Sequence, residues 1–130
     1  MMGPLENRLA SEFRARGFSL LAEDVWCRRV DIDVSFILYL YSKSSKARFR
    51  VEVGLGIRFD RVEAAFFDAM GVEEESPVNS TLGCNLKDLA AGGNSAGWEY
   101  QTKSEFLEKG IEQMLECLDK KGIPALLEYS

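Results

Sequence analysis

Two long stretches of the chain alternate apolar and polar residues, and this pattern constrains the fold more than any other feature. In residues 30–41 the apolar positions are Val30, Ile32, Val34, Phe36, Leu38 and Leu40. In residues 47–59 they are Phe49, Val51, Val53, Leu55, Ile57 and Phe59. A period of two is typical of strands with one buried face. A short polar segment, residues 42–46, separates the stretches, so we expect one antiparallel hairpin.

Helical periodicity and helix-ending glycines predict the elements around this hairpin. We expect a first helix from Pro4 to Gly17, a second over residues 60–70 that Gly71 ends, and a last one that Gly122 and Pro124 terminate. Residues 125–129 can add one final helical turn. Short strands are expected near residues 18–21, 25–29 and 98–100, and a short strand or turn within residues 81–89. The strand at 25–29 either runs on into residues 30–41 or breaks near Arg29.

The 130 residues are therefore expected to form one α+β domain. Its antiparallel sheet has about four to five strands built on the long central hairpin, and an N-terminal and a C-terminal helix pack on one face. Trp26 has the parity of the apolar set, which places it in the core.

Matching the apolar faces sets a hairpin register, because a slip by one residue turns every side chain over. In the simplest register Leu40 lies opposite Phe49 and Phe36 opposite Val53. The pairs on the other face are then Tyr41–Arg48, Tyr39–Arg50, Ile37–Glu52, Ser35–Gly54, Asp33–Gly56 and Asp31–Arg58.

That other face has two interpretations. As a partner-binding surface it offers Tyr39, Tyr41, Arg48 and Arg50, residue types that carry much interface energy. The same residues also suit a solvated sheet stabilised by cross-strand pairs. Trp98 either packs on the sheet edge or belongs to a binding surface.

Gly54 and Gly56 interrupt the face, and glycines inside a strand mark a bend, a bulge or the close approach of another group. They predict a shallow groove with a rim of Asp33, Tyr39, Arg50 and Glu52.

Charge is distributed unevenly along the chain. The net charge is −5, but residues 1–65 carry +2 and residues 66–130 carry −7. An acidic second half argues against nucleic-acid binding, which needs a basic surface, and suits a basic protein partner. The acidic run Glu73, Glu74 and Glu75 is a second candidate partner-binding surface beside the alternative of a solvated loop.

Several kinds of chemistry are disfavoured by the residues present. The chain contains no histidine, the commonest general base and metal ligand. Its three cysteines form no C-x-x-C pair, so we expect buried thiols and no disulfide. Asp31 with Asp33 is a weak metal pair and Asp33 with Glu52 a weak glycosidase-like pair. We expect no catalytic residues, metal site or cofactor.

Location follows from two further features of the sequence. No apolar run is long enough to span a bilayer, and the first residues do not have the pattern of a signal peptide. We expect a cytoplasmic protein that does not insert into membranes.

The order of features resembles an uncharacterised bacterial group, domain-of-unknown-function family 4304. The matching segments are Arg16-Gly17-Phe18, Trp26, residues 49–57, residues 84–89, Trp98 and residues 122–127. The chain departs from the family pattern at Lys87-Asp88 and in a shorter middle segment. The resemblance implies an α+β fold and assigns no reaction or active residue.

We expect a non-enzymatic bacterial protein-binding module. Its sharpest form is an immunity protein that neutralises a basic toxin domain by docking an acidic or Tyr/Arg surface. One alternative is a small-molecule or peptide binder that uses the Gly54/Gly56 groove, closed by residues 90–97 and Trp98. The other is a carboxylate-based enzyme. The identity of the partner and the oligomeric state stay open.

Overall fold

A computed structural model describes residues 4–45, 48–74, 80–89, 98–101 and 104–130, with side chains for 7–41, 51–74, 80–86, 89 and 109–130. The helices are α1 (Pro4–Ala15), α2 (Asp60–Met70), α3 (Ser104–Cys117) and α4 (Ile123–Tyr129). The strands are β1 (Ser19–Ala22), β2 (Val25–Asp31), β3 (Val34–Ser45), β4 (Arg48–Phe59), β5 (Leu82–Asn85) and β6 (Trp98–Gln101).

The strands form one antiparallel sheet in the order β1-β2-β3-β4-β5. The sixth strand, β6, also pairs with β4, so that β5 borders Gly54–Ile57 and β6 borders Arg48–Val51 along the same edge. The sheet is thus five strands wide with two short strands in its last position. The expected α+β architecture on a long central hairpin is confirmed.

The core lies between one sheet face and the helices at both ends of the chain. Of the alternating residues predicted to be buried, seven lie in it: Phe36, Leu38, Leu40, Val51, Val53, Leu55 and Ile57. Leu9 and Phe13 of α1, together with Met114 of α3, cover them. Trp26 is buried there as predicted, with its ring edge-to-face on Phe13 at a centroid distance of 5.6 Å.

The alternation predicted that residues 30–41 form one strand, but they do not. The chain reverses at Ile32 and Asp33 between β2 and β3, and the pairing of Arg29 and Asp31 with β3 is irregular at Val30. Val30 and Ile32 were expected in the core, but Ile32 is 84% exposed. Their apolar type continued the pattern across a turn, which alternation alone does not detect.

The hairpin register also differs from the expected one. Leu40 lies opposite Val53, Phe36 opposite Ile57 and Val34 opposite Phe59. Each pair is displaced by four residues from the predicted pairing, because both strands extend into the polar segment, to Ser45 and from Arg48. An even displacement leaves every side chain on its predicted face, so the faces are right and the pairs are wrong.

Helix ends follow the predicted glycines at two of three positions. Gly17 and Gly71 adopt left-handed φ values of 88° and 70°, and the amide after each bonds back to the carbonyl five residues earlier. At Gly122 the predicted helix end is wrong, because the chain passes through a π-helical turn, Leu118–Gly122, into α4, which contains the final turn expected over residues 125–129. Gly122 instead permits close packing, since a Cβ there would lie 2.8 Å from Leu86 Cδ1.

Candidate protein-binding surface

The N-terminus of α2 is held by the turn between β2 and β3. The Asp60 amide donates to the Asp33 carbonyl at 2.9 Å, and the Arg61 amide donates to Asp33 Oδ1 at 3.0 Å. Phe59, the residue before the helix, makes no side-chain cap. Asp33 therefore satisfies amides at the start of the helix and places a negative charge at its positive end.

The inward side of α2 is held by polar contacts. Glu63 is the buried residue of the helix, and its Oε2 accepts a hydrogen bond of 3.0 Å from the Thr81 hydroxyl. The same hydroxyl accepts the Phe59 amide at 3.0 Å. A carboxylate thus occupies the position where an ordinary amphipathic helix presents apolar side chains.

A buried arginine links the end of β4 to the chain beyond α2. Arg58 is only 7% exposed, and its guanidinium binds both carboxylate oxygens of Glu74 as well as Asp60 Oδ1, the latter at 2.9 Å. Arg29 binds the other Asp60 oxygen at 3.0 Å. A bidentate contact of this kind is strong and directional, so it fixes the segment at Glu74 relative to the sheet.

These contacts shift the titration of the groups involved. Glu74 first, and then Asp60, raise the pKa of the Arg58 guanidinium above its ordinary value despite its desolvation. Partial burial would raise the pKa of Asp60, but hydrogen bonds from Arg58 and Arg29 outweigh it and hold that pKa below its usual value.

The outward side of α2 is apolar. Val62, Phe66 and Met70, spaced by four residues, are 50%, 56% and 63% exposed, and Val72 just beyond the helix is also exposed. We call these four residues the α2 outer face. Ala65 and Ala69 lie among them and are exposed too. Single exposed apolar residues are common, but a contiguous helical row of them marks an interaction site.

The C-terminal end of α2 is negatively charged. Asp68 and Glu73 are exposed, and the last turn of α2 has no basic residue. Asp68 is two residues from Met70 and therefore lies on the other side of the helix, where it lines a pocket with Phe67 and Glu73. The carbonyl end of a helix carries a partial negative charge, so Asp68 adds to an existing negative potential where a cation would stabilise the helix.

The predicted sheet surface is only partly assembled. Tyr39 lies opposite Gly54 and Tyr41 opposite Glu52, so the expected Tyr39–Arg50 and Tyr41–Arg48 pairs are wrong. Tyr41 is exposed, whereas Tyr39 is half-buried and its hydroxyl lies 2.7 Å from Ser80 Oγ. Burial raises the pKa of the Tyr39 phenol and outweighs the opposing hydrogen bond from Ser80.

The predicted groove over Gly54 and Gly56 is filled by the protein itself. A Cβ at Gly54 would lie 3.3 Å from Tyr39 Cβ and 3.5 Å from Tyr41 Cε2. A Cβ at Gly56 would lie 1.8 Å from Ser80 Oγ. The glycines are there because side chains of the same chain approach the strand closely, which is one of the meanings of glycine within a strand.

The other predicted site residues are separated. In backbone register Arg48 and Arg50 lie opposite Ser45 and Lys43, at the far end of the hairpin from α2. Trp98 opens β6 opposite Val51. The side chains of Arg48, Arg50 and Trp98 lie outside the described residues, as do residues 90–97, the predicted lid.

The acidic run beyond α2 is divided between two roles. Glu73 is exposed, Glu74 binds Arg58, and Glu75 lies outside the described residues. Of the two glutamates that the structure describes here, Glu73 and Glu74, only Glu73 presents an exposed side chain at the surface.

The predicted weak carboxylate pairs have other contacts. Asp31 Oδ1 accepts the Ile32 amide at 2.7 Å within the β2–β3 turn, and Asp33 caps α2. Asp31 was expected opposite Arg58, but it pairs with Val34 in β2–β3 register. Within the described ranges, no three Asp, Glu, Cys or His side chains are grouped as a metal site would need.

A separate apolar cavity of about 270 Å³ opens between the sheet edge and the C-terminal helix. Its wall includes Leu55 and Ile57 of β4, Leu82 of β5, and Ala125, Leu126 and Tyr129 of α4. This cavity lies on the helix-covered face of the sheet, away from the predicted groove.

The α2 outer face was not among the predicted candidate surfaces, although its residues form a helical row in the sequence. A row of this kind does not state whether it faces the core or solvent. The sequence did contain one signal. The central hairpin has a single apolar face, and two helices were already expected to cover it, so the apolar side of a third helix has no apolar sheet surface on which to pack.

No protein-family model, curated protein or solved structure matches this chain. The resemblance to domain-of-unknown-function family 4304 therefore stays a prediction. In the part of the chain that the structure describes, no helix has the length and apolar character required to cross a bilayer.

Proposed function

We propose that this chain is a non-enzymatic protein-binding module that docks a partner on the α2 outer face. The supporting observation is the orientation of α2, with Glu63 buried and Val62, Phe66 and Met70 exposed. Turning the helix over would bury the apolar row, but Asp33, Thr81 and the ion pairs of Arg58 hold it as it is. An apolar row kept outward by specific polar contacts suits a surface that a partner covers.

The most specific form of this proposal is a bacterial immunity protein that neutralises a basic toxin domain in the cytoplasm. The net charge of −5 and the exposed Asp68 and Glu73 near the C-terminal end of α2 favour a basic partner. Complementary charge accelerates association and selects among partners, while the apolar row supplies contact area.

A comparison of baits tests the docking face. Each bait is immobilised and then incubated with host-cell lysate. The three baits are the wild-type chain, the triple variant Val62→Ser/Phe66→Ser/Met70→Ser and the control Leu127→Ser. Leu127 is a suitable control because it is 55% exposed and lies on α4. We expect a protein that wild type and control retain and the triple variant loses. Retention of the same proteins by all three baits would contradict docking through this face.

The immunity form has its own test. Co-expression of the captured partner with the wild-type chain should restore growth that the partner alone inhibits, and the triple variant should not restore it. A partner whose expression leaves growth unchanged would rule out this form while leaving the docking proposal intact.

The cavity between β5 and α4 favours a second candidate function, binding of a small apolar ligand. The dye 1-anilinonaphthalene-8-sulfonate is a suitable probe. Its fluorescence with the wild type should fall when Ala125→Phe fills the cavity and persist in Phe66→Ser. An Ala125→Phe variant that folds and keeps the full signal would contradict this candidate.

A further inference from the structure

We infer that the ligand of the cavity between β5 and α4 is an extended peptide, which pairs with the outer edge of β5 and places one large apolar side chain in the cavity. This inference rests on the second candidate function, because it names the ligand of the same cavity. It follows from two features that lie side by side, an open strand edge and an uncharged apolar wall.

β5 is a border strand that directs backbone groups away from the sheet. Its residues, Leu82–Asn85, are all exposed, and among the residues that the structure describes its strand neighbour is β4 alone. The Ile57 carbonyl accepts the Thr81 amide, so Ile57 directs its backbone groups toward β5. Because this direction alternates along a strand, the register of β4 with β5 turns the backbone of Cys84 toward β4 and that of Gly83 toward the outer edge.

The outward amide and carbonyl of Gly83 match the hydrogen-bonding groups of an added strand. Gly83 has no side chain that would cover them. A peptide residue opposite Gly83 would accept one hydrogen bond from this amide and donate one to this carbonyl, at the usual strand spacing of about 4.8 Å. Peptides bind to open sheet edges in this way, with main-chain bonds for affinity and pockets for alternate side chains.

The cavity lies on the face of β5 to which Leu82 and Cys84 belong. These two residues lie opposite Ile57 and Leu55, which are both in the core, and all four line the cavity. In an added strand, the neighbours of the residue that pairs with Gly83 would lie opposite Leu82 and Cys84 and point to the same face. The strand pairing therefore directs a peptide side chain toward the cavity.

The size and polarity of the cavity select that side chain. Its volume of about 270 Å³ exceeds the roughly 150 Å³ of a cavity that holds benzene, so a phenylalanine ring or a branched aliphatic chain fits. Among the described residues that line it, none is charged. Burial of an unpaired charge is costly, so the side chain is uncharged. A peptide uses both the cavity and the strand edge, whereas a free apolar molecule uses the cavity alone.

Short synthetic peptides of alternating threonine and lysine provide the probe. Their central residue is phenylalanine, leucine, tryptophan or alanine. A second set carries N-methyl groups on the two residues beside the central one, which removes the amide that would donate to Gly83 and leaves the side chains unchanged. NMR titration of the ¹⁵N-labelled full chain measures Kd for the wild type and for Ala125→Phe, which fills the cavity. The controls are Leu127→Ser, exposed on α4, and Phe66→Ser, on the α2 outer face.

We expect a peptide with a large apolar central residue to bind the wild type and both controls alike, and to shift the amide signals of Gly83 and Ala125. Alanine at the central position and the N-methyl groups should each weaken binding by about tenfold or more, because one removes the buried side chain and the other removes main-chain hydrogen bonds. Ala125→Phe should weaken it similarly. The peptide changes test the edge and the cavity on the unmodified protein, so the result does not depend on whether Ala125→Phe folds.

The other outcomes separate this inference from the second candidate function. No binding of any peptide, while 1-anilinonaphthalene-8-sulfonate still reports the cavity, would overturn the peptide and keep an apolar-ligand site. Binding that the N-methyl groups leave unchanged would overturn the strand pairing, and binding that the central alanine leaves unchanged would overturn the side chain in the cavity. A wild-type dimer in sedimentation that Ala125→Phe abolishes would identify a strand of a second copy as the occupant and overturn a separate peptide.

Discussion

At the scale of single residues, the contact between Gly56 and Ser80 determines what the outer face of the sheet can bind. Ser80 lies directly over Gly56, and its hydroxyl bonds to Tyr39. These groups replace the groove that the two glycines had suggested. A glycine that makes room for a ligand and a glycine that makes room for a side chain of the same protein look identical in sequence, because the sequence shows only that the Cβ is absent.

The Gly56 contact predicts a coupled pair of substitutions. Gly56→Ala should destabilise the fold by about 1–3 kcal/mol, since the new Cβ overlaps Ser80. The cost should be smaller in a Ser80→Gly background, which removes the overlapping atoms. Gly54→Ala is the comparison and should cost less, because a Cβ there would lie 3.3 Å from Tyr39 Cβ, a tight contact without the overlap found at Gly56. Urea unfolding compares the wild type, Gly56→Ala, Ser80→Gly, the double variant and Gly54→Ala, and equal costs for Gly56→Ala in both backgrounds would contradict the contact.

Asp60 predicts how stability depends on pH. Its pKa is lowered in the folded chain, so its charge stabilises the fold fully above the ordinary Asp value of about 3.9, and this contribution is lost as pH falls through the folded pKa. Asp60→Asn should therefore be less stable than the wild type near neutral pH, and the difference should shrink below about pH 4.

Asp68→Asn is the matched control for Asp60→Asn, because Asp68 lies at the opposite end of the same helix. There a carboxylate opposes the helix dipole, so this substitution should stabilise by about 0.3–1 kcal/mol at neutral pH. Urea unfolding across the pH range measures both variants. A pH-independent penalty for Asp60→Asn would show that its ion pairs do not carry the effect.

At the scale of elements, α2 differs from the terminal helices in the direction of its apolar row. In α3 the row of Ile111, Met114 and Leu115 is buried, whereas in α2 the corresponding row is exposed. Two methionines therefore occupy opposite environments on helices of the same domain.

This contrast predicts different costs for one substitution. Met114 is 1% exposed, so Met114→Ala should cost about 2–5 kcal/mol. Met70→Ala removes a side chain that is mostly in water and should change stability by less than about 0.5 kcal/mol. Thermal or urea unfolding measures both. A large cost at Met70 would mean that α2 packs its apolar side inward, which would remove the proposed docking face.

The hairpin shows how far sequence reasoning reaches at this scale. Alternation predicted which face Phe36, Leu38, Val53 and Leu55 share, because parity survives any even displacement. It did not predict their partners, since displacement by four residues leaves the pattern unchanged. The elements, most of their ends and the core were therefore predictable, while the cross-strand pairs and the site built from them were not.

At the scale of the whole molecule, the central hairpin is enclosed and the sheet edges are not. The interior face of β3 and β4 lies under the helices, while Leu20 in β1 and all four residues of β5 are exposed. Stability is therefore expected to vary from strand to strand.

Amide hydrogen exchange should follow this arrangement. The amides of Leu38 in β3 and Leu55 in β4 should exchange among the slowest, because their strands are bordered on both sides. The amide of Leu20 in the edge strand β1 should exchange faster by orders of magnitude. Exchange followed by NMR measures this, and a Leu20 amide protected as strongly as that of Leu38 would contradict the described sheet order.

The shared edge of β4 has one more consequence. Strands β5 and β6 run in the same direction, and only Glu52 and Val53 of β4 separate the end of one from the start of the other. Together they amount to a single border strand with residues 86–97 inserted into it. The insert begins with Leu86, which is buried in the core, so the point where the border strand is interrupted is also a point where it is anchored to the interior of the domain.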